Sequence, residues 1–301
     1  MLPLYQQKGN TNTQIHKTMN SITAYKVFDI NMKAYETWES PYLNFKVGAK
    51  YKCEGKINIR QNGFAAYENP IFALDSNPYL RYCIVELSGD IKRVDNVTMS
   101  SEMTIVREID IFELLEHAKA YIYDHKLFNK DYMSIYTTQD HDMIASCARN
   151  IQMSSSFNYT RIVSFGVLSY LSCSGSNAVL YSSGEGSNLS ASGAGVTIYS
   201  TGCRARISTT SEVCNIYSSG NNSNISVLGY ACCVRSVGKN CNIYFGTESG
   251  IFCAKKGTYV SYNYIDDNDE TRIIRNYIVG ENDIEEDIWY GIYKGELSKL
   301  L

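Results

Sequence analysis

Tyrosine and arginine are the residues whose type and spacing best suit recognition chemistry. Tyr181, Tyr199 and Tyr217 recur every eighteen residues, Tyr244 follows, and Arg204, Arg206 and Arg235 lie among them. A ladder of this kind could stack on nucleobases or fill the pockets of a protein partner, because tyrosine offers a flat apolar ring with one polar end. Stacked rings on a sheet also stabilise neighbouring strands. Basic residues outnumber acidic ones between Met143 and Thr258, so RNA or DNA could be held electrostatically. Their only clusters are Arg204/Arg206 and Lys255/Lys256, which favours a protein partner over nucleic acid.

Motifs for catalysis are missing. There is no phosphate-cradling GxxxxGK[ST] loop, no Gly-rich dinucleotide turn, no HExxH and no nucleophile with a paired base. Ten cysteines occur without CxxC spacing, and His16, His117, His125 and His141 do not cluster with them. Neither a metal nor a cofactor is expected. Cys214, Cys232 and Cys241 fall on inward positions of the repeat described next, so they read as reduced core fillers.

The element that must position the tyrosines is a repeat. Stepping nine residues from Ile162 gives Leu171, Leu180, Leu189, Ile198, Ile207, Ile216, Ile225, Val234, Ile243 and Phe252. The positions two before and two after are mostly small. Small–x–aliphatic–x–small alternates with period two, the signature of a short strand with one inward face. Four residues beyond most of the aliphatic positions stands a glycine, expected to be a turn residue with positive φ. Such units bury their apolar face only by stacking, which predicts a β-solenoid. The outward residue after the aliphatic position alternates Tyr and Ser, so one coil should hold about 18 residues and two strands. Tyr181, Tyr199 and Tyr217 then line one face, and Ser172, Ser190, Ser208 and Ser226 the other. The register runs back through Met153, Ile144 and Ile135, giving about seven coils at about 4.8 Å each.

The rest of the 301 residues, with a net charge of −3, divides around this rod. Residues 1–20 are polar and aperiodic and read as a flexible lead-in. Residues 21–126 read as a small α+β domain: strands at 22–28, 45–47, 56–60 and 81–87, a short helix opened by Pro70, and an amphipathic helix over 108–123. The solenoid spans 133–260. Residues 264–301 form a C-terminal cap, with a strand at 271–279, in which acidic residues outnumber basic ones. Within it Asp283, Glu285, Glu286 and Asp287 could cover the rod's open end or imitate a phosphate backbone. The fold class is mainly β. No apolar stretch is long enough to span a bilayer, so no membrane partner is expected.

Ala24-Tyr-Lys-Val-Phe28, Tyr51 with Gly55-Lys-Ile, Asn62-Gly-Phe64, Glu68-Asn-Pro70, Arg81-Tyr-Cys-Ile-Val-Glu86 and Ile105-Val-Arg-Glu108 together resemble a domain of unknown function found mainly in phage and prophage proteins. The likeness extends to Ser/Gly/Asn-rich repeats from Met133 and to the pair Trp289-Tyr290. It implies a phage or prophage origin and action in the bacterial cytoplasm. It conveys no established activity; the missing catalytic motifs lead to a non-enzymatic binding role, and the implied phage setting makes inhibition of a bacterial defence effector such as a CRISPR nuclease, by contact with a protein or ribonucleoprotein, the expected one. Family members usually carry His after Gly-Phe, where Ala65 stands, so any chemistry resting on that His is not expected here. Two alternatives stay open. Tyr-Lys-x-Phe followed by Gly-Phe-x-x-Tyr resembles ADP-ribosyltransferase-like folds, which would place Tyr25, Lys26, Phe64 and Tyr67 around a nucleotide, with Glu86 as an acid. A structural phage component, assembling as a trimer or larger, is the other.

Overall fold

The computed structural model describes residues 21–34, 43–58, 62–75, 77, 80–125, 130–247, 249–265, 272–293 and 296–300. The expected lead-in, residues 1–20, lies outside the described residues.

The N-terminal domain is an antiparallel sheet with one helix. Ile22–Phe28 pairs along its whole length with Arg81–Val94, which turns at Asp95 (φ 52°) into Val97–Ile109. The far edge of Val97–Ile109 takes Lys50–Lys52 and Phe64–Ala66. Alternation along Ile22–Phe28 sends Ala24 and Phe28 into one apolar cluster with Phe45, Phe64, Val85 and Ile105, and Tyr25 into another beneath the helix. The helix Ile111–Asp124 (α1) starts three residues later than its periodicity suggests. Asp110 caps it by accepting from the Glu113 N–H at 2.8 Å, and Glu108 stays in the strand, where it accepts from Arg81 Nε at 2.8 Å. The stretch expected as a strand at 45–47 bends instead at Gly48 (φ +82°), leaving the two-residue strand Leu43–Asn44 before it. The one expected at 56–60 is reduced, among the described residues, to a single bridge between Asn58 and Asn62. Pro70 does open a short 3-10 helix, Pro70–Ala73, capped by the Asn69 side chain.

The repeats form a two-sided β-solenoid. Tyr170 lies beside Asn188, Leu171 beside Leu189 and Ser172 beside Ser190, a register of 18 residues in parallel pairing. Strands Ser134–Tyr136, Gln152–Ser155, Tyr170–Cys173, Asn188–Ala191, Arg206–Thr209, Asn224–Val227, Asn242–Phe245 and Tyr259–Ile265 make one sheet, called here the Ser sheet. Met143–Ser146, Arg161–Ser164, Val179–Ser182, Thr197–Ser200, Asn215–Ser218, Cys232–Ser236 and Ser249–Ala254 make the opposite one, the Tyr sheet. Between them runs the continuous column of Ile, Leu and Val, ending in Phe252, that the nine-residue step defines, buried from Ile162 to Phe252, with Val260 of the last coil beyond it. Cys214, Cys232 and Cys241 are buried with it, as their register requires.

The glycines play a different part from the one expected. Gly166, Gly175, Gly184, Gly193, Gly202, Gly220, Gly229 and Gly238 do not have positive φ. A Cβ on Gly184 would lie 1.8 Å from the carbonyl oxygen of Gly166, one coil back. These positions are glycine because backbone passes over backbone at the corner. The left-handed residue comes two positions later, at Leu168, Asn177, Gly186, Gly195, Arg204, Val213 and Asn222 in turn.

The C-terminal segment closes the end of the rod. Arg272–Ile278 adds antiparallel to Tyr259–Ile265, and Trp289–Tyr293 adds antiparallel to Ser249–Ala254 and then pairs with Glu296–Lys299. Val279, Ile284, Tyr290 and Ile292 complete the solenoid core. Reversing strand direction at the last coil ends the parallel stack, so the 18-residue parallel register does not continue past it.

Candidate binding surfaces

The N-terminal domain packs against the Tyr sheet. Leu74, Tyr82, Leu114, Leu115, Ala118 and Ile122 share one buried cluster with Val163, Val179, Tyr181 and Tyr199. Tyr181 is 1% exposed and Tyr199 3%. Tyr199 stacks on Tyr217 at 5.1 Å, and Phe165 meets Tyr181 edge-on at 5.4 Å. Burial drives the Tyr199 hydroxyl far above its ordinary pKa. The Tyr ladder is therefore the seat of the molecule's own head and is not a free surface. The expected recognition set also divides. Tyr244 lies on the Ser sheet, accepting from Asn263 Nδ2 at 2.8 Å, and Arg206 is exposed on that same sheet. Arg204 sits at a corner with its guanidinium 2.9 Å from Glu185. Arg235 is exposed on the Tyr sheet, in register with Tyr217.

The Ser sheet is left bare. Its outward rows are Ser154, Ser172, Ser190, Ser208 and Ser226 on one side, and Gln152, Tyr170, Asn188, Arg206 and Asn224 on the other. Because serines are short, the first row forms the floor of a trough, which Tyr136 and Tyr244 bracket in register at its two ends. Two concavities, of about 440 and 370 Å³, share Ser154, Ser172 and Ser190. Arg206 is the one charged side chain in these rows, so the face is polar, nearly neutral and rich in hydroxyl and amide groups that both donate and accept.

Of the residues proposed for a head cleft, the structure brings together Lys26 and Tyr67. They line a cavity of about 360 Å³ between the head and the solenoid, together with Phe72, Leu80 and Arg161. Lys26 is 5% exposed, and its Nζ donates to the Ala65 carbonyl at 2.7 Å, about 6 Å from the ring centres of Phe28 and Phe45. Tyr25 points the other way, its hydroxyl 2.9 Å from His117 Nδ1. Phe64 belongs to the head core, and Glu86 is exposed on the middle strand. Those three leave the cleft because the strand's alternation places Tyr25 opposite Lys26, while Phe64 is needed for packing. Arg161 and Phe72 were not singled out by the sequence. Arg161 stands one before an aliphatic position in the repeat, and nothing there signals that a head docks over it.

The acidic residues of the cap are partly neutralised. Lys255 pairs with Asp287 and approaches Glu286, and Lys299 Nζ lies 2.7 Å from Glu285. Asp283 takes a left-handed turn conformation. No group of His, Cys, Asp and Glu among the described residues is arranged to hold a metal.

Fold and surfaces together define a two-part β protein, a small α+β head seated on one face of a capped parallel solenoid. Residues 22–117 match the family described as Domain of unknown function (DUF7666), which covers the head through the first half of α1. No curated protein and no solved structure matches the chain.

Proposed function

We propose that this is a non-catalytic binding protein whose recognition surface is the bare Ser sheet. One observation carries the reading: the head covers the Tyr sheet from Met143 to Tyr217, while the other sheet presents an open polar trough of five serines between Tyr136 and Tyr244. Every strand there except the terminal Ser134–Tyr136 is paired on both sides, so the surface is rigid and little ordering entropy is lost on contact. At about 4.8 Å per strand the face runs about 34 Å and, four residues wide, about 13 Å. That is roughly half the ~800 Å² a standard interface takes from each partner. The partner must therefore also grip the adjoining corner, where Leu228 and Tyr230 are exposed. A lone Arg206 gives little phosphate attraction, which favours a protein surface over bare nucleic acid. The likeness to phage and prophage proteins supports a bacterial defence effector as that partner, held in an inhibited state.

The test is an affinity capture from bacterial lysate with the full chain, the Ser172→Arg/Ser190→Arg double variant and Tyr230→Ala. A single stoichiometric partner that both variants lose, while melting like the parent, is the expected result. A partner retained by both variants would overturn the assignment to this face. Capture of a defence nuclease, with its cleavage slowed by added protein, is the outcome expected for the inhibitor role.

A further inference from the structure

The two rows of corners that flank the Ser sheet carry opposite charge. Where the chain passes from the Tyr sheet to the Ser sheet, between residues 147 and 258, stand Arg149, Arg204, Lys239, Lys255 and Lys256 against Glu185. Arg206 adds to this basic rim from the adjoining row of the sheet. Where the chain passes from the Ser sheet to the Tyr sheet, between residues 137 and 231, the corners hold Asp140, Asp142 and Glu212 and no Lys or Arg. Arg204 pairs with Glu185 and Lys255 with Asp287. Arg149, Arg206 and Lys239 on one rim, and Asp140 and Glu212 on the other, are exposed and make no ion pair among the described residues. Both rims also carry exposed apolar side chains: Val167 and Leu168 on the basic side, Tyr159, Leu228 and Tyr230 on the acidic side.

A second copy of the chain carries both rims and so brings the matching pattern. Turned by 180° about an axis parallel to the rod, it meets the first copy Ser sheet to Ser sheet with the rods parallel. Each basic rim then lies against the other copy's acidic rim. The levels along the rod agree as well. Arg149 and Asp140 are nine residues apart, half a coil or about 2.4 Å of rise, and Arg206 and Glu212 are six apart, about 1.6 Å. Leu168 and Tyr159 also differ by half a coil, so apolar side chains meet in the same arrangement. With the rods antiparallel, like rims would face each other and repel. The head sits on the opposite sheet and leaves this face clear. Adding about 5 Å at each corner widens the face from about 440 to about 800 Å² per copy, the share a standard interface takes from each partner. Such a contact is isologous and closes at two copies.

We infer that the free protein forms a parallel dimer across its Ser sheets, with Arg149 and Arg206 of each copy against Asp140 and Glu212 of the other. The dimer covers the recognition surface proposed above, so a partner has to displace the second copy. That consequence rests on the reading of the Ser sheet as a recognition surface; the dimer itself does not.

Sedimentation velocity of the full chain alone tests it, across about 1–100 µM, where transient interfaces of this size dissociate. The expected result is a rise from monomer to dimer and no further. The dissociation constant should increase at least about tenfold between about 0.05 and 0.5 M salt, as screening weakens the rims. Arg206→Glu and Glu212→Arg each set two like-charge pairs into the symmetric interface and should each raise it at least about tenfold. Arg206→Glu/Glu212→Arg restores opposite charges and should return it to within about threefold of the parent, which a folding defect could not do. A monomer at every concentration, assembly beyond two copies, a dimer indifferent to both single reversals, or a double variant no tighter than either single overturns the inference. A monomer leaves a captured bacterial partner standing, and a partner retained by Ser172→Arg/Ser190→Arg leaves the dimer standing, so the two readings fail separately.

Discussion

Single residues at the solenoid corners separate two constraints that both select glycine. At Gly184 the constraint is space: the atom a Cβ would meet is backbone, which cannot rotate away. Gly184→Ala should lower stability by about 1–3 kcal/mol through overpacking, read from the urea midpoint at unchanged slope. Two positions on, the constraint is the left-handed backbone, and there the chain is not optimised. Val213 holds φ 54° with a β-branched side chain that is 58% exposed. Asn177, two coils earlier at the same corner, shows the residue type suited to that conformation. Val213→Asn should raise stability by about 1 kcal/mol, since it relieves strain and gives up little buried surface. A melting temperature that falls with Val213→Asn would mean that the exposed valine packs in a way its position does not suggest. Cysteines follow the same local logic. Burial pushes the Cys214 thiol up to about 12 and Cys233 up to about 11, whereas Cys203 is exposed. Alkylation of the native protein near neutral pH should modify Cys203 first and leave Cys214 intact until unfolding, which peptide mapping would show.

Elements differ in how far the sequence disclosed them. The solenoid was legible because its pattern is redundant: Ile162 through Phe252 repeat one inward position many times, and Cys214, Cys232 and Cys241 fall where small residues are needed. The hairpin of Arg81–Val94 and Val97–Ile109 was only half read, since residues beyond Leu87 lose the apolar alternation while the backbone pairing continues with register shifts. Less legible still was the role of the glycines, because close approach and positive φ leave the same letter in the sequence. Within the head, arginines cross-link the strands to their neighbours: Arg93 Nε lies 2.6 Å from Glu68, and Arg81 holds Glu108. Both carboxyls are held below the ordinary range, chiefly by these side-chain hydrogen bonds. A lowered folded-state pKa adds stability above the unfolded value, about 4.3, that disappears as pH falls through the folded value. Acid should therefore weaken the head selectively below about pH 4. Glu68→Gln and Glu108→Gln should flatten that limb by at most about 1 kcal/mol each, because the pairs are solvent-accessible. Urea titrations at a series of pH values would reveal an unchanged limb if the pairs contribute nothing.

At the scale of the whole molecule, the two parts are not independent modules on a string. The sequence made the tyrosine ladder look like an interface, and it is one, but the partner is the chain's own head. This was not readable from one sequence, because a tyrosine row that meets a partner in trans and one that meets a domain in cis obey the same physics of apolar rings with polar ends. The consequence reverses what a ladder mutation should do. Tyr199→Ser removes a nearly fully buried ring from the cluster containing Leu115 and Tyr82, so it should cost about 3 kcal/mol or more, the range for large aromatic deletions in cores. Where that cost appears distinguishes docking from mere packing. A repeat stack couples only to its neighbours, so the coils toward the C-terminal cap should keep their stability while the head loosens. Hydrogen exchange by mass spectrometry should show faster exchange in α1 and in Pro70–Ala73, with Asn224–Val227 and Asn242–Phe245 unchanged. Faster exchange along the entire rod would mean instead that head and solenoid fold as one cooperative unit, and uniform protection in α1 would mean that Tyr199 does not hold the head at all.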